Sequence, residues 1–251
     1  MPADHEIPAH AKPRTAPDLG LTLASYNIHR CIGSDGRYDP SRVRDVLREL
    51  DADVIALQEV EVFRNDPGIL DFLCADSAWR PVHGITLSRA SGDYGNAVLC
   101  RLPIETVRRQ DLSFRQREPR GALHVRCGLA GTAVHVVATH FGLRPVERRT
   151  QAQALAGELD AIENAGDAPS VTVLMGDFNE WFLWGRALRR LGGRFLAAPA
   201  PRTFPARWPL FALDRIWVTP GVRAFALEAV RTPLTGVASD HLPLRARLRL
   251  G

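Results

Sequence analysis

Short apolar runs that finish on polar residues recur along this chain. The stretch "LTLASYNIH" (21–29) has the composition of a strand and closes on Asn27 and His29, and "DVIALQE" (53–59) closes on Gln58 and Glu59. Between them, Asp39 followed by Pro40 predicts a helix start, and Val43, Val46, Leu47 and Leu50 follow at helical spacing. Asp66 and Pro67 repeat that start and predict a second helix to about Ser77. "RPVHGITL", "NAVLCR", "RGALHVRCGL" and "TAVHVVATHF" read as closely spaced strands with antiparallel pairing, and Gly131 marks the turn between the last two. A helix over 146–164 carries Ala152, Leu155, Leu159 and Ile162 on one face. "SVTVLMGDF" then reads as a buried strand, "WFLWGRALRRLGG" as part helix and "APAPRTFPARWP" as loop. "LDRIWVT", "VRAFALEAV" and "PLRARLRL" read as the last strands. No repeat or linker interrupts the series, which suits two packed sheets flanked by helices.

At 251 residues and 45% hydrophobic, the chain is long enough for one large core, so a single domain over 19–251 is expected. The net charge of +4 says little about nucleic acid, because Lys12 is the only lysine and the arginine excess looks like base composition. Cys31, Cys74, Cys100 and Cys127 form no CxxC pair, which fits reduced thiols and a cytoplasmic protein. Residues 1–18 have prolines and charges without an apolar run, so a disordered tail is expected rather than a signal peptide. No apolar stretch is long enough to span a bilayer.

The candidate chemistry lies at the strand ends. If they converge, Asn27, Glu59, His140, Asp177, Asn179, Asp240 and His241 share one cleft. Carboxylate and amide oxygens are hard ligands suited to Mg2+ or Mn2+, which makes Glu59 and Asp240 the expected metal ligands with Asn27 beside them. Asp177 is the candidate base for a water, with Asn179 steadying it, and Phe178 between them points the other way, into the core. His140 and His241 are candidate donors to phosphoryl oxygens, with Asp214 orienting His241 and favouring its charged form.

Taken in order, "SYNIH", "LQEV", "YGNAVL", "ATHFGL", "MGDFNE", "LDRIW" and "SDHLPL" resemble the endonuclease/exonuclease/phosphatase superfamily, the deoxyribonuclease I-like fold, over about 21–250. The resemblance implies an α+β protein, a four-layer α/β/β/α sandwich, with metal-dependent cleavage of phosphate esters. It implies metal-site roles for Asn27 and Glu59, phosphate contact or acid catalysis for His140, and a base for Asp177 partnered by Asn179. For Asp214, Asp240 and His241 it implies the roles argued above. "QEV" without a lysine after it is more similar to members acting on lipid, nucleotide or small phosphodiesters than to the abasic-site repair branch. A phosphodiesterase is therefore the leading expectation. A DNA or RNA nuclease is the alternative, and a non-catalytic phospholigand-binding module comes third. Oligomeric state is open.

Around this set, Arg120 is a candidate phosphate contact and Trp181 a candidate substrate contact, while Trp181, Phe182 and Trp184 fit either a rim or a core. Arg148 and Arg149 read as a solvated helix face. His29 fits either the site or a structural role, and His83, His124 and His135 read as packing or surface residues.

Overall fold

The computed structural model describes residues 19–64, 68–166 and 169–250; the expected tail and the Asp66–Pro67 helix start lie outside the described residues. The first sheet is built from β1 (Leu19–Asn27), β2 (Val54–Phe63), β3 (Arg80–Arg89), β4 (Gly92–Cys100), β10 (Val222–Ala229) and β11 (Leu244–Leu250). Their order across the sheet is β10, β11, β1, β2, β4, β3. The second sheet runs in chain order through β5 (Ile104–Asp111), β6 (Gly121–Leu129), β7 (Thr132–His140), β8 (Ser170–Asp177) and β9 (Asp214–Val218). Both sheets are mixed: β1 pairs parallel with β2 and β7 parallel with β8, and the other neighbours are antiparallel.

Strand periodicity sorts the side chains into layers. Leu23, Val54 and Val98 of the first sheet meet Val125, Val136, Val173 and Ile216 of the second in a core between the sheets. On the outer face of the first sheet, α1 (Pro40–Leu50) and α2 (Ile69–Cys74) bury Val43, Leu47, Leu70 and Leu73 against Tyr26, Leu57 and Leu99. On the outer face of the second, α3 (Pro145–Asn164) and α4 (Arg186–Gly192) bury Leu155, Leu159, Leu188 and Leu191 against Val137, Leu174 and Phe178. The result is the expected α/β/β/α sandwich. A short α5 (Thr235–Ala238) precedes β11.

The Asp39 start of α1 is realised as expected, with its carboxylate accepting from the Ser41 N–H at 3.1 Å. β5 and α2 differ from expectation, and α5 has no counterpart in the sequence pattern. β5 escaped the apolar pattern because it is an edge strand whose side chains are mostly exposed, held by backbone pairing to β6. α2 stops at Cys74 rather than Ser77, whose hydroxyl donates to the Cys74 carbonyl at 2.6 Å and closes the helix end. Cys100 and Cys127 approach to 3.4 Å between the sheets as free thiols. Among the described residues, no helix is long and apolar enough to cross a membrane.

Candidate active site

Register brings the polar strand ends together. His140, the last residue of β7, lies opposite Asp177, the last of β8, and Asp177 lies opposite Asp214, the first of β9. Side chains paired across strands share a face, so all three stand in a row at one edge of the second sheet. In the first sheet, Asn27 ends β1 opposite Gln58 of β2. The pairing of β2 with β4 slips between Leu57 and Val60, and Glu59 in this bulge has a left-handed φ of 57°. Such a conformation costs a non-glycine residue about 1–3 kcal/mol, and here it turns Glu59 toward the second sheet. Asn27 Nδ2 bridges the sheets, donating to Glu59 Oε1 at 3.2 Å and to Asp177 Oδ2 at 3.1 Å.

The GDFN turn has its own local logic. Gly176 has φ 148°, and a Cβ there would strike the Thr139 carbonyl oxygen, so glycine alone lets β8 lie this close to β7. Asp177 faces the space between the sheets, while Phe178 is fully buried beneath the helices, 5.0 Å from Phe141 and 5.2 Å from Trp217 between ring centres. Asn179, with φ 47°, donates its backbone N–H to Asp177 Oδ1 at 2.8 Å and its side-chain amide to the Phe141 carbonyl at 2.9 Å.

The two histidines have opposite electrostatics. His140 is pushed down to about 3 by burial and by the neighbouring Arg120 charge, so it is a neutral ring at working pH. Arg120 Nη1 lies 2.8 Å from His140 Nδ1 and the Asn179 amide nitrogen lies 3.0 Å from His140 Nε2, so each ring nitrogen faces a donor. That Nε2 is 3.6 Å from Asp177 Oδ2. Burial alone would lower His241, but Asp214 and then Asp177 outweigh it and hold the imidazole up at about 10. Asp214 Oδ2 contacts His241 Nδ1 at 2.9 Å and accepts from the Thr203 hydroxyl at 2.5 Å. His241 Nε2 thereby faces Asp177 Oδ2 at 3.7 Å.

Glu59, His140, Asp177, Asn179, Asp240 and His241 line one open cleft of about 380 Å³. Asn27 and Asp214 do not line the cleft, whereas Arg120 does. Ser239 anchors the approach to Asp240 by donating to the Asn27 carbonyl at 2.7 Å.

The donor set fits a hard divalent cation. Asp177, Asp214 and His241 offer atoms all within 4.8 Å of one another, but Asp214 is fully buried and taken up by Thr203 and His241, so it orients rather than ligates. Glu59, Glu118 and Asp240 are the carboxylates of the cleft lining besides Asp177, and Glu118 is taken up by Arg120 at 3.1 Å. Burial raises the pKa of Glu59, and the charges of Asp177 and Asp240 add to the rise against the Asn27 hydrogen bond. A bound cation would favour the charged carboxylate that burial opposes. Asn27 turns its Nδ2 to the carboxylates while its Oδ1 accepts from the His29 N–H at 3.0 Å, so as it stands it spaces Glu59 from Asp177.

Among the remaining residues, Arg148 alone departs from its expected position. Arg120 is buried yet lines the cleft, contacting His140 Nδ1 at 2.8 Å and pairing with Glu118 at 3.1 Å. Arg148 is not solvated: it is 3% exposed and grips Glu180 through Nε and Nη2, each at 3.2 Å. Its spacing from Ala152, Leu155 and Leu159 on the inward face of α3 carried that signal, and a buried carboxylate after the GDFN motif supplies the partner. Trp181, 41% exposed, lines the cleft and packs edge-on against Phe211 at 4.7 Å. His29 is half-buried, its Nδ1 3.0 Å from the Ile32 carbonyl and 3.8 Å from Asp240 Oδ1. His124 and His135 are buried and contact each other at 3.1 Å in the second sheet, apart from the cleft.

Comparison with known proteins bears on the family and the fold. The uncharacterized protein YbhP of Escherichia coli K12 is 32% identical over 259 residues, spanning 95% of this chain and 100% of the relative. An endonuclease/exonuclease/phosphatase from Bacteroides vulgatus superposes with a TM-score of 0.74 at 21% identity, covering 93% of this chain and 100% of that one. D. rerio TDP2, solved with a single-strand DNA product, superposes with a TM-score of 0.69 at 17% identity, covering 92% and 99%. The profile of the Endonuclease/Exonuclease/phosphatase family matches residues 24–241. Members of that family are generally metal-dependent phosphoesterases or nucleases. With its strand-end residues gathered in one cleft and a family match over most of its length, this chain belongs to the endonuclease/exonuclease/phosphatase family.

Proposed function

We propose that this protein is a single-domain, divalent-metal-dependent phosphodiesterase acting on a lipid headgroup, nucleotide or other small phosphodiester. The observation that carries the reading is the row His140, Asp177, Asp214 at one sheet edge, with His241 facing Asp177 and Glu59 joined to it through Asn27. Asp177, held by Asn27 and by the Asn179 backbone, takes the proton from a water aligned with phosphorus. His140, a neutral ring held between Arg120 and Asn179, is suited to phosphate contact rather than to an acid role. His241 donates from Nε2 as an imidazolium, which places positive charge where the phosphoryl oxygens become more negative. Asn179 supplies an amide beside them. A Mg2+ or Mn2+ ion held by Glu59 and Asp240 would supply the charge that stabilises the departing oxygen. The free cysteines favour a cytoplasmic setting.

The test is hydrolysis of an aryl phosphodiester with and without Mg2+ or Mn2+. Asp177→Ala and His241→Ala should each lose roughly a thousandfold in turnover while keeping the wild-type circular dichroism. Near-normal turnover by either folded variant defeats the assignment. The likeness to a TDP2 structure that holds a single-strand DNA product supports a nuclease as second reading. Nicking of supercoiled plasmid, lost in Glu59→Ala, would favour it.

A further inference from the structure

Nine of the thirteen exposed large hydrophobic side chains among the described residues fall in three short segments, 143–146, 181–184 and 208–211. They are neighbours in space. Trp181 packs against Phe211 at 4.7 Å and Phe204 at 6.0 Å, and Leu143, Trp181 and Phe204 line the mouth of the catalytic cleft. The cleft therefore opens beside an apolar rim. Trp184 and Trp208, each 70% exposed, lie in the second and third segments and do not line the cleft.

This exposure is built in. The Glu180 carboxylate, 5% exposed, is gripped by Arg148, which also donates to the Leu143 carbonyl at 2.7 Å, so one buried ion pair fastens the first two segments together. Gly185 packs so closely on Glu180 that a Cβ would collide with it, which folds the Trp181–Trp184 loop around the same carboxylate. The third segment is held at its base by the Phe204–Phe211 bridge and by the Ala206 N–H on the Asp240 carbonyl at 2.7 Å. Rigid, outward-facing tryptophans are costly in water unless something covers them.

The charges around them identify the cover. Each segment carries or adjoins an exposed arginine, Arg144, Arg186 and Arg207, and none of the three has an ion-pair partner among the described residues. The carboxylates of these stretches, Glu147 and Glu180, are buried. Indole and phenyl rings mixed with leucines and unpaired arginines match an anionic bilayer surface, where rings sit at headgroup level, leucines reach the acyl boundary and guanidiniums meet phosphates. A single-strand nucleic acid platform would use the rings alone, and here Leu143, Leu183 and Leu210 are as exposed as the aromatics.

We propose that this rim docks the protein on anionic phospholipid surfaces and so presents the cleft to lipid headgroups. The docking stands on the rim; only the identity of the hydrolysed bond rests on the phosphodiesterase reading. The experiment is co-sedimentation of the full chain with vesicles of phosphatidylcholine alone and of phosphatidylcholine mixed with phosphatidylglycerol. Binding should be strong only on the anionic vesicles and fall as salt rises. Trp184→Ser and Trp208→Ser should each weaken it roughly tenfold, and Arg207→Gln about fivefold. Trp208→Ser and Arg207→Gln should keep wild-type turnover of a water-soluble aryl phosphodiester. Asp177→Ala should bind vesicles like wild type, so a dead catalytic site and a failed docking surface give different results. The proposal is overturned if neither vesicle sediments the protein or if the tryptophan variants sediment undiminished. It is equally overturned if those variants instead abolish tight binding of a single-strand oligonucleotide or dissolve a dimer of this chain.

Discussion

Replacing Asp214 by Asn keeps the shape of the side chain and removes the charge that faces His241 Nδ1 at 2.9 Å. Holding a histidine at about 10 rather than 6.5 corresponds to roughly 5 kcal/mol in favour of the imidazolium, won against burial, which works the other way. Asp214 is the largest of the carboxylates that raise it, ahead of Asp177 and Asp240, so its loss should remove about half of that preference, ~2–3 kcal/mol. His241 in Asp214→Asn is then expected to titrate near pH 8. In metal-free buffer, 15N-detected histidine titration reads this directly. A proton held more tightly in the folded state contributes stability that is complete below the unfolded value of 6.5 and is lost as pH rises through about 10. Wild-type unfolding free energy should therefore fall across that window, and the variant should show the fall earlier and smaller. The alkaline limb of kcat/KM should move down with it. A wild-type His241 titrating near 6.5, or one unmoved by Asp214→Asn, would refute the reasoning.

Glu180→Ala leaves the Arg148 guanidinium buried with the Leu143 carbonyl as its remaining hydrogen-bond partner among the described residues, so it should cost about 3–5 kcal/mol and lower Tm by roughly 10 °C in a thermal melt. The double variant Arg148→Met/Glu180→Leu should recover most of that loss. Gly176→Ala forces a Cβ into the Thr139 carbonyl at a φ of 148°, and urea unfolding should show a loss of about 3 kcal/mol. A stability close to wild type there would mean β7 and β8 are not packed as described.

The parts of the site that were legible in the sequence are those written as local contrasts. Asp177 and His140 interrupt runs that are otherwise core, and their strands are neighbours in register, so the contrast at each end became one row in space. Phe178 could be assigned to the opposite face because strand periodicity leaves it no choice. What stayed hidden depends on partners far away in sequence. Arg120 reads as a free phosphate donor until β6 and β7 pair and set it against His140 Nδ1. Arg148 reads as solvated until Glu180, 32 residues later, folds back onto it. The bulge at Glu59 has no signature within "LQEV", since only the β2–β4 register shows that a residue has been squeezed out of the ladder. The rim tryptophans could be read as core or surface because composition sets their need for cover and not its source.

Gathering of the carboxylates around one cation is tested most directly by Mn2+ titration followed by electron paramagnetic resonance of the free ion. Wild type should bind Mn2+ at the cleft, Glu59→Gln should weaken that binding by about a hundredfold, and Asp214→Asn, whose carboxylate is engaged by Thr203 and His241, should leave it nearly unchanged. Equal Mn2+ affinity in wild type and in the folded Glu59→Gln/Asp240→Asn protein would contradict a metal centre in this cleft.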